Sequence, residues 1–352
     1  MSPSPTNAKR YGAHGDHQPL KSSMRPSLYQ HLLQSLALLS FLLIGACPVS
    51  AAYPERPIRL IIPYAAGGPT DILGRIVGEK MGEALKQTVV IDNRQGAGAN
   101  VGITAVAKSP ADGYTLLFGD INLVINPFLY KNLSFEVQRD FTSVGLVASA
   151  PLVLVVHQNA PFKNVTDLVM AAKAKPATMN FASAGAGNTT HLAVELMKSK
   201  YGLDMVHVPY KGATPALNDL MAGHVNLMVV GLSAAKGLIE GGKLRALAIT
   251  GDKRAATLPN VPTFEQASLS LPEMKIGSWW AIAAPKGTPS EIVQELNTAL
   301  NSALSSNETK AKLKDLNIEP LGGTPQELDK WMGAEIETWS KVIKKAGIQL
   351  EP

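Results

Sequence analysis

Two nine-residue stretches each set small residues and a helix start directly after an apolar strand. The first, Pro63-Tyr64-Ala65-Ala66-Gly67-Gly68-Pro69-Thr70-Asp71, closes the run IRLIIP of Ile58–Pro63. The second, Ser183-Ala184-Gly185-Ala186-Gly187-Asn188-Thr189-Thr190-His191, follows the strand predicted at Met179–Ser183. Pro69 suits a first helical position, where its missing N–H would be unpaired anyway. Asn188 or Thr189 can cap the second helix. Unpaired N–H groups at a helix start attract anions, and ligands of α/β sheets sit outside the carboxyl ends of strands. The chemistry on offer is a carboxylate held on backbone donors. The competing reading makes each loop an ordinary strand-to-helix turn. In that reading Asp71 complements the helix dipole and His191 packs.

Other constellations carry less. His191 and Glu195 are four apart, but two ligands make no zinc site. Asn93–Gly102 reads NRQGAGANVG, which spaces its glycines G-x-G-x-x-x-G instead of G-x-G-x-x-G. It is expected to pack as a glycine turn beneath a cleft and not to bind a dinucleotide. Gly231-Leu232-Ser233-Ala234-Ala235 narrowly misses the hydrolase elbow G-x-S-x-G. His157, His191, His207 and His224 all precede Ser233, so the hydrolase order of nucleophile, acid and histidine fails. No metal or cofactor is expected.

These loops need strands and helices to hold them. After Ile58–Pro63, Thr70–Leu85 places Ile72, Leu73, Ile76, Val77, Met81 and Leu85 at helical spacing. Strands are predicted at Thr88–Ile91 and Tyr114–Phe118, with a helix at Ala99–Lys108 between them. Phe141–Ala150 and Leu152–His157 break the rhythm as two successive strand-like runs. Alternation then resumes. Helices are predicted at Val165–Lys175, Thr189–Tyr201, Pro215–Gly223 and Ala234–Gly241. The strands between and after them are Met179–Ser183, Met205–Val208, Val225–Val230 and Leu244–Thr250. Trp279–Ala284 is one more strand, and Ser290–Ser305, Glu308–Leu316 and Pro325–Ala346 close the chain as helices. The class is α/β, in two units joined by crossing strands around a hinged cleft.

The 352 residues are 45% hydrophobic and 17% charged, which excludes a disordered chain. The first 51 read as an export signal: Arg25, the apolar run LLQSLALLSFLLI at Leu32–Ile44, then VSAAYP. Cleavage is expected after Ala51 or Ala52, and translation could begin at Met1 or Met24. Lipidation at Cys47, in IGAC, is the alternative, and Pro48 argues against it. Beyond residue 51 the chain holds 29 basic and 27 acidic residues, a net +2 that leaves no footprint for nucleic acid. With Cys47 removed, no cysteine remains, so the core alone must stabilise the exported protein.

YPERPIRLIIPYAAGGPTDILGR, VIDNRQGAGANVG, SPADGYTLLFG and VPYKGATPALNDLMAGHV closely resemble the Bug family, receptors of tripartite tricarboxylate transporters. GKLRALAIT, LPNVPTFEQA and APKGTP extend the likeness from about Tyr53 to the C-terminus. The resemblance implies a type 2 periplasmic-binding-protein fold: residues 52–152 with 279–352 form one lobe and 153–278 the other. It implies a periplasmic, non-enzymatic monomer that closes on a small organic acid and delivers it to the transporter's membrane subunits. The ligand would be held by Tyr64, Ala65, Ala66, Gly67, Thr70 and Asp71 from the first loop. Ser183, Gly185, Ala186, Asn188, Thr189 and His191 would serve from the second. Asp120, Asn122 and the turn of Tyr210, Lys211 and Gly212 would wall the cleft. Val229-Val230-Gly231 departs from the family's Phe-Asp-Asn, so Val230 stands where a cleft carboxylate is usual. That argues for a ligand without an amine or with a larger apolar tail. The runner-up is a secreted hydrolase or transferase on the same fold, using His191 or Ser233. N-terminal sequencing of the exported protein is expected to begin at Ala52 or Tyr53. A chain starting at a lipid-modified Cys47 would overturn the signal-peptide reading.

Overall fold

A computed structural model describes residues 53–271 and 277–350. The export-signal readings, Cys47 included, lie outside the described residues. Tyr53–Pro352 forms one compact unit built on two sheets. The first sheet opens with β1 (Ile58–Ile62), α1 (Pro69–Leu85), β2 (Val89–Asn93), α2 (Asn100–Ala107) and β3 (Thr115–Asp120). β1 lies between β2 and β3, parallel to both. A strand in that position is covered on both faces, which is why its apolar residues run together: Ile58, Leu60, Ile61 and Ile62 are all buried.

α1 covers one face with Leu73, Val77, Met81 and Leu85, four apart along one stripe. Ile72 was expected on the apolar side, but it is 40% exposed and lies off the stripe. The short helix α3 (Asn122–Leu129) falls in a stretch where the sequence reading expected no element. Its run NLVINPFL is buried nearly all round and contains Pro127, so it shows neither a helical period nor a favourable composition.

A helical turn, α4 (Val137–Asp140), leads into β4 (Phe141–Ala150), which ends the first sheet's share of this segment. β5 (Leu152–His157) then enters the second sheet, where Leu152 to Val156 are all buried. That sheet alternates α5 (Val165–Ala174), β6 (Asn180–Ser183), α6 (Thr189–Tyr201), β7 (Val206–Pro209), α7 (Ala213–Ala222), β8 (Leu227–Gly231), α8 (Leu232–Glu240) and β9 (Leu244–Ile249). Its strand order is β7-β6-β8-β5-β9. The chain returns through β10 (Ser278–Pro285), antiparallel to both β3 and β4. With β11 (Glu319–Pro320) the first sheet reads β11-β4-β10-β3-β1-β2.

The two crossings lie side by side. Ser278 pairs with Ala150, and a Cβ on Gly277 would strike the Ala150 carbonyl and the Leu152 amide, so only glycine fits there. α9 (Ser290–Ser305) and α10 (Asn307–Asp315) pack near α1, and α11 (Pro325–Ala346) packs on β4, α3 and α6. α11 thus touches helices over both sheets. Its Glu335 Oε2 accepts from Trp279 Nε1 at 2.8 Å and from Trp339 Nε1 at 3.0 Å. Burial raises the Glu335 pKa against those two hydrogen bonds.

Between β2 and α2, Ala97, Gly98 and Ala99 all adopt left-handed backbone, with φ of 47°, 61° and 80°. An L-residue pays about 1–2 kcal/mol there. Ala97 is exposed, so removing its methyl gives up little buried surface. Ala97→Gly is therefore expected to stabilise by about 0.5–1 kcal/mol after the added chain entropy. Calorimetric unfolding that shows a lower midpoint would contradict the strain.

Candidate functional site: two glycine loops at strand ends

The first loop leaves β1 at Pro63 and enters α1 at Pro69, the N1 residue, with Gly68 as N-cap. Gly67 takes φ +85°. Its N–H donates to Asp71 Oδ2 at 2.8 Å, and Asp71 is the third helical residue. The same oxygen accepts Arg75 Nε at 2.9 Å, and Asp71 Oδ1 accepts Asn93 Nδ2 at 2.9 Å. Asn93 Nδ2 also reaches the Tyr64 carbonyl at 3.0 Å. The Arg75 hydrogen bond, helped by Gly67 and Asn93, holds the buried Asp71 carboxyl down at about 2 against desolvation. Asp71 is thus more than a dipole complement: it closes the loop. Thr70 Oγ1 accepts Trp280 Nε1 at 3.0 Å, which ties the helix start to β10.

Tyr64, Asp120 and Asn122 form one network at the ends of β1 and β3. Tyr64 Oη donates to Asp120 Oδ2 at 2.6 Å and accepts Asn122 Nδ2 at 2.6 Å. The Asn122 N–H donates to Asp120 Oδ1 at 3.0 Å. Burial pushes the Asp120 carboxyl up to about 6 despite these bonds, and burial with Asp120 raises the Tyr64 phenol well above its usual range. Ala65 and Ala66 are exposed.

The second loop repeats the first. Gly187 takes φ +76°, Asn188 is the N-cap, and Thr189, Thr190 and His191 begin α6. Asn188 Oδ1 accepts the Thr190 N–H at 2.9 Å and the His191 N–H at 3.3 Å. Thr190 Oγ1 accepts the Ala184 N–H at 2.8 Å. The Gly187 N–H donates to His191 Nδ1 at 3.0 Å. Ser183 Oγ donates to the Gly185 carbonyl at 3.0 Å and accepts the Gly185 N–H at 3.2 Å. The turn at Tyr210 is pinned to this loop, Tyr210 N–H on the Ser183 carbonyl and Gly212 N–H on the Ala184 carbonyl. Tyr210 Oη donates to Asp219 at 2.6 Å, and burial, then Asp219, pushes the phenol up to about 12. Lys211 is exposed.

Val230 is 1% exposed, within the core packed between β8 and its neighbouring helices, so its side chain does not line a cleft. On a strand buried on both faces, that position cannot replace a cleft carboxylate. The stretch around Asn93–Gly102 packs under the first loop, where a Cβ on Gly102 would meet Pro63. Four contributors lay outside the sequence expectations: Arg75, Asn93 as a tie between Tyr64 and Asp71, His207 and Trp280. Only Arg75, four residues after Asp71, left a readable signal.

Neither Ser183 nor Ser233 is set up as a nucleophile. Ser183 Oγ lies 2.6 Å from His207 Nε2, but Ser183 is fully buried and its hydroxyl is spent on Gly185. Ser233 is exposed and has no imidazole partner among the described residues. No group of three or more metal-ligating side chains occurs among the described residues.

The family model for the tripartite tricarboxylate transporter family receptor matches residues 73–348, and the chain belongs to that family. BugT of Bordetella pertussis is 36% identical over 309 residues, covering 87% of this chain and 94% of BugT. An R. palustris protein solved with adipate is 39% identical with a TM-score of 0.74, covering 85% of this chain and all of that one. MatC from Rhodopseudomonas palustris, solved with malate, is 30% identical with a TM-score of 0.71, covering 83% and 100%. The two sheets carry the two-lobed α/β fold of these periplasmic binding proteins. The chain is a substrate-binding receptor and not an enzyme. Asp71→Asn removes the charge that pairs with Arg75 and sets an amide against the Asn93 amide. It is expected to cost about 1–3 kcal/mol, read as a lower unfolding midpoint in neutral buffer. Unchanged stability would show that Asp71 does not hold the loop.

Proposed function

We propose that the two glycine loops hold a carboxylate group of a small organic acid on backbone N–H groups, in a cleft between two hinged lobes. The first sheet with its helices makes one lobe and the second sheet with its helices the other, and the crossings at Pro151 and Gly277 form the hinge. One observation carries this reading: apart from Thr189, the polar side chains of both loops are committed to protein partners, while several loop N–H groups are not. The N–H groups of Ala65, Ala66 and Gly68, and those of Ala186 and Thr189, have no protein acceptor among the described residues. Oriented donors at two helix starts supply fixed positive potential without a cation. Tyr64, Asp120, Asn122 and the Tyr210–Gly212 turn wall the cleft and set loop geometry. Gly185, Thr70, Asn188 and His191 act by shaping the backbone.

A dicarboxylate is the ligand class we favour. Neighbours of this chain were solved with adipate and malate. The receptor works as a periplasmic monomer and passes its ligand to the membrane subunits of a tripartite transporter. Calorimetric titration with adipate and malate tests the reading, with scattering to follow lobe closure. Ala186→Pro deletes one free N–H and is expected to weaken binding at least about tenfold, the order of one charge-assisted hydrogen bond. Lys211→Ala is expected to change it less than about twofold, as for an exposed charge. If Lys211→Ala abolishes binding while a folded Ala186→Pro still binds, a side-chain salt bridge carries the site instead.

A further inference from the structure

The two loops are built on one plan with one substitution of chemistry. Ala66-Gly67-Gly68-Pro69-Thr70-Asp71 and Ala186-Gly187-Asn188-Thr189-Thr190-His191 match position by position. In each, a glycine with positive φ precedes the N-cap, and its N–H donates to the side chain of the third helical residue, four positions on. In each, a charged residue four further along lies beside that side chain: Arg75 on the accepting oxygen of Asp71, and Glu195 near the opposite nitrogen of His191. The first lock is a carboxylate under a guanidinium and stays an acceptor throughout the physiological range. The second is an imidazole, whose acceptor nitrogen can also take up a proton and become a donor.

A backbone N–H can only donate, so Nδ1 of His191 is its unprotonated nitrogen and Nε2 carries the proton. Nε2 lies 3.7 Å from Glu195 Oε1. Protonating Nδ1 sets two donors against each other across 3.0 Å and ends the lock on Gly187. The Asn188 cap would survive, so the helix start persists while the loop before it loosens. Loosening falls on the free N–H groups of Ala186 and Thr189, which flank Gly187 and Asn188.

The surroundings constrain the proton. His191 is 5% exposed and stacks on His207 with centroids 3.7 Å apart and planes 8° from parallel. Two imidazoles so placed cannot both be charged, and His207 is kept neutral, lowered to about 4 by burial and then by His191. His207 Nε2 is held on Ser183 Oγ, whose other bonds grip Gly185, so both rings feed the same loop. On α6, Lys198 Nζ binds Glu195 Oε1 at 2.6 Å and sits 5.4 Å above the Phe181 ring. α11 contributes Lys345, which reaches the Ser199 carbonyl at the far end of α6. β6 and β8 bring no titratable side chain.

We propose that His191 is a positioning residue whose unprotonated Nδ1 keeps the second loop in its binding geometry, so that proton uptake there weakens ligand capture. The inference rests on the carboxylate-receptor reading above and deepens it, making the receptor proton-linked through one of its two loops. The test uses adipate as probe, titrated calorimetrically into the purified protein at about pH 8 and about pH 6, a span over which histidine side chains can change charge. The unmodified protein is expected to lose about fivefold in affinity between them, less than the tenfold per unit that a fully linked proton allows. His191→Asn supplies a non-titrating acceptor. It is expected to bind about threefold more weakly at the higher pH, the scale of an imperfect hydrogen bond, with a flattened pH response. Titration of adipate itself is common to both proteins and cancels in the comparison. His191→Phe, with no acceptor, is expected to weaken binding about tenfold at both pH values.

Hydrogen exchange over Ala184–His191, corrected for intrinsic pH dependence, reads the lock without a ligand. Protection is expected to fall towards the lower pH in the unmodified protein but not in His191→Asn. Adipate binding with identical pH ratios in both proteins and unchanged protection overturns this inference and leaves the receptor reading intact. Protection that falls as expected, with no adipate heat at either pH, supports the lock and overturns the proposed ligand class instead.

Discussion

A single hydrogen bond, made twice, organises the rest of this molecule. The Gly67 and Gly187 N–H groups each turn back onto the third residue of the following helix. With that donor paired inside the loop, the N–H groups of Ala66 and Gly68, and of Ala186, have no protein acceptor among the described residues. Both glycines sit at positive φ, a conformation costly for any residue with a Cβ. At Gly187 a Cβ would also meet Leu129 and Leu350. The loops are therefore specified twice over, by the torsion they need and by the partner that waits for the freed N–H.

The sheets supply the frame for these bonds. β1 and β6 end at the same kind of edge, one in each sheet, with parallel neighbours on both sides. The chain passes between the sheets at β4–β5 and returns at β10, and Ser278 pairs with Ala150 where the passes meet. α11 contacts elements of both sheets, and its Glu335 gathers two tryptophan donors in a buried setting. Such a buried acceptor has one low-energy arrangement, because a displaced indole N–H or carboxylate would lie unpaired in an apolar core.

Electrostatics around the loops is arranged to keep side-chain charge committed elsewhere. Asp71 is neutralised by Arg75, Glu195 by Lys198, and Asp120 is wrapped by Tyr64 and the Asn122 N–H. Few uncommitted side-chain charges are therefore left around the loops. This matches the net +2 beyond residue 51, which is too small to attract acids by bulk charge.

Much of this was legible in the residues. Apolar runs bounded by glycine and proline marked β1, β5 and β10, because strands buried on both faces need no polar alternation. Pro69 and Asn188 marked the helix starts, since both act locally through the backbone on either side of them. The α3 helix was not legible, because burial all round erases the helical period and Pro127 argues against a helix. Nor were Asn93, His207 and Trp280, which reach the loops from other strands at separations no local pattern encodes. Val230 shows the same limit: its place along the chain suggested a cleft wall, but strand register turned its side chain into the core. The sequence by itself determined where the loops lie and which atoms they could offer. Only the tertiary structure decided which of those atoms stay free, because that depends on partners brought together from the whole chain.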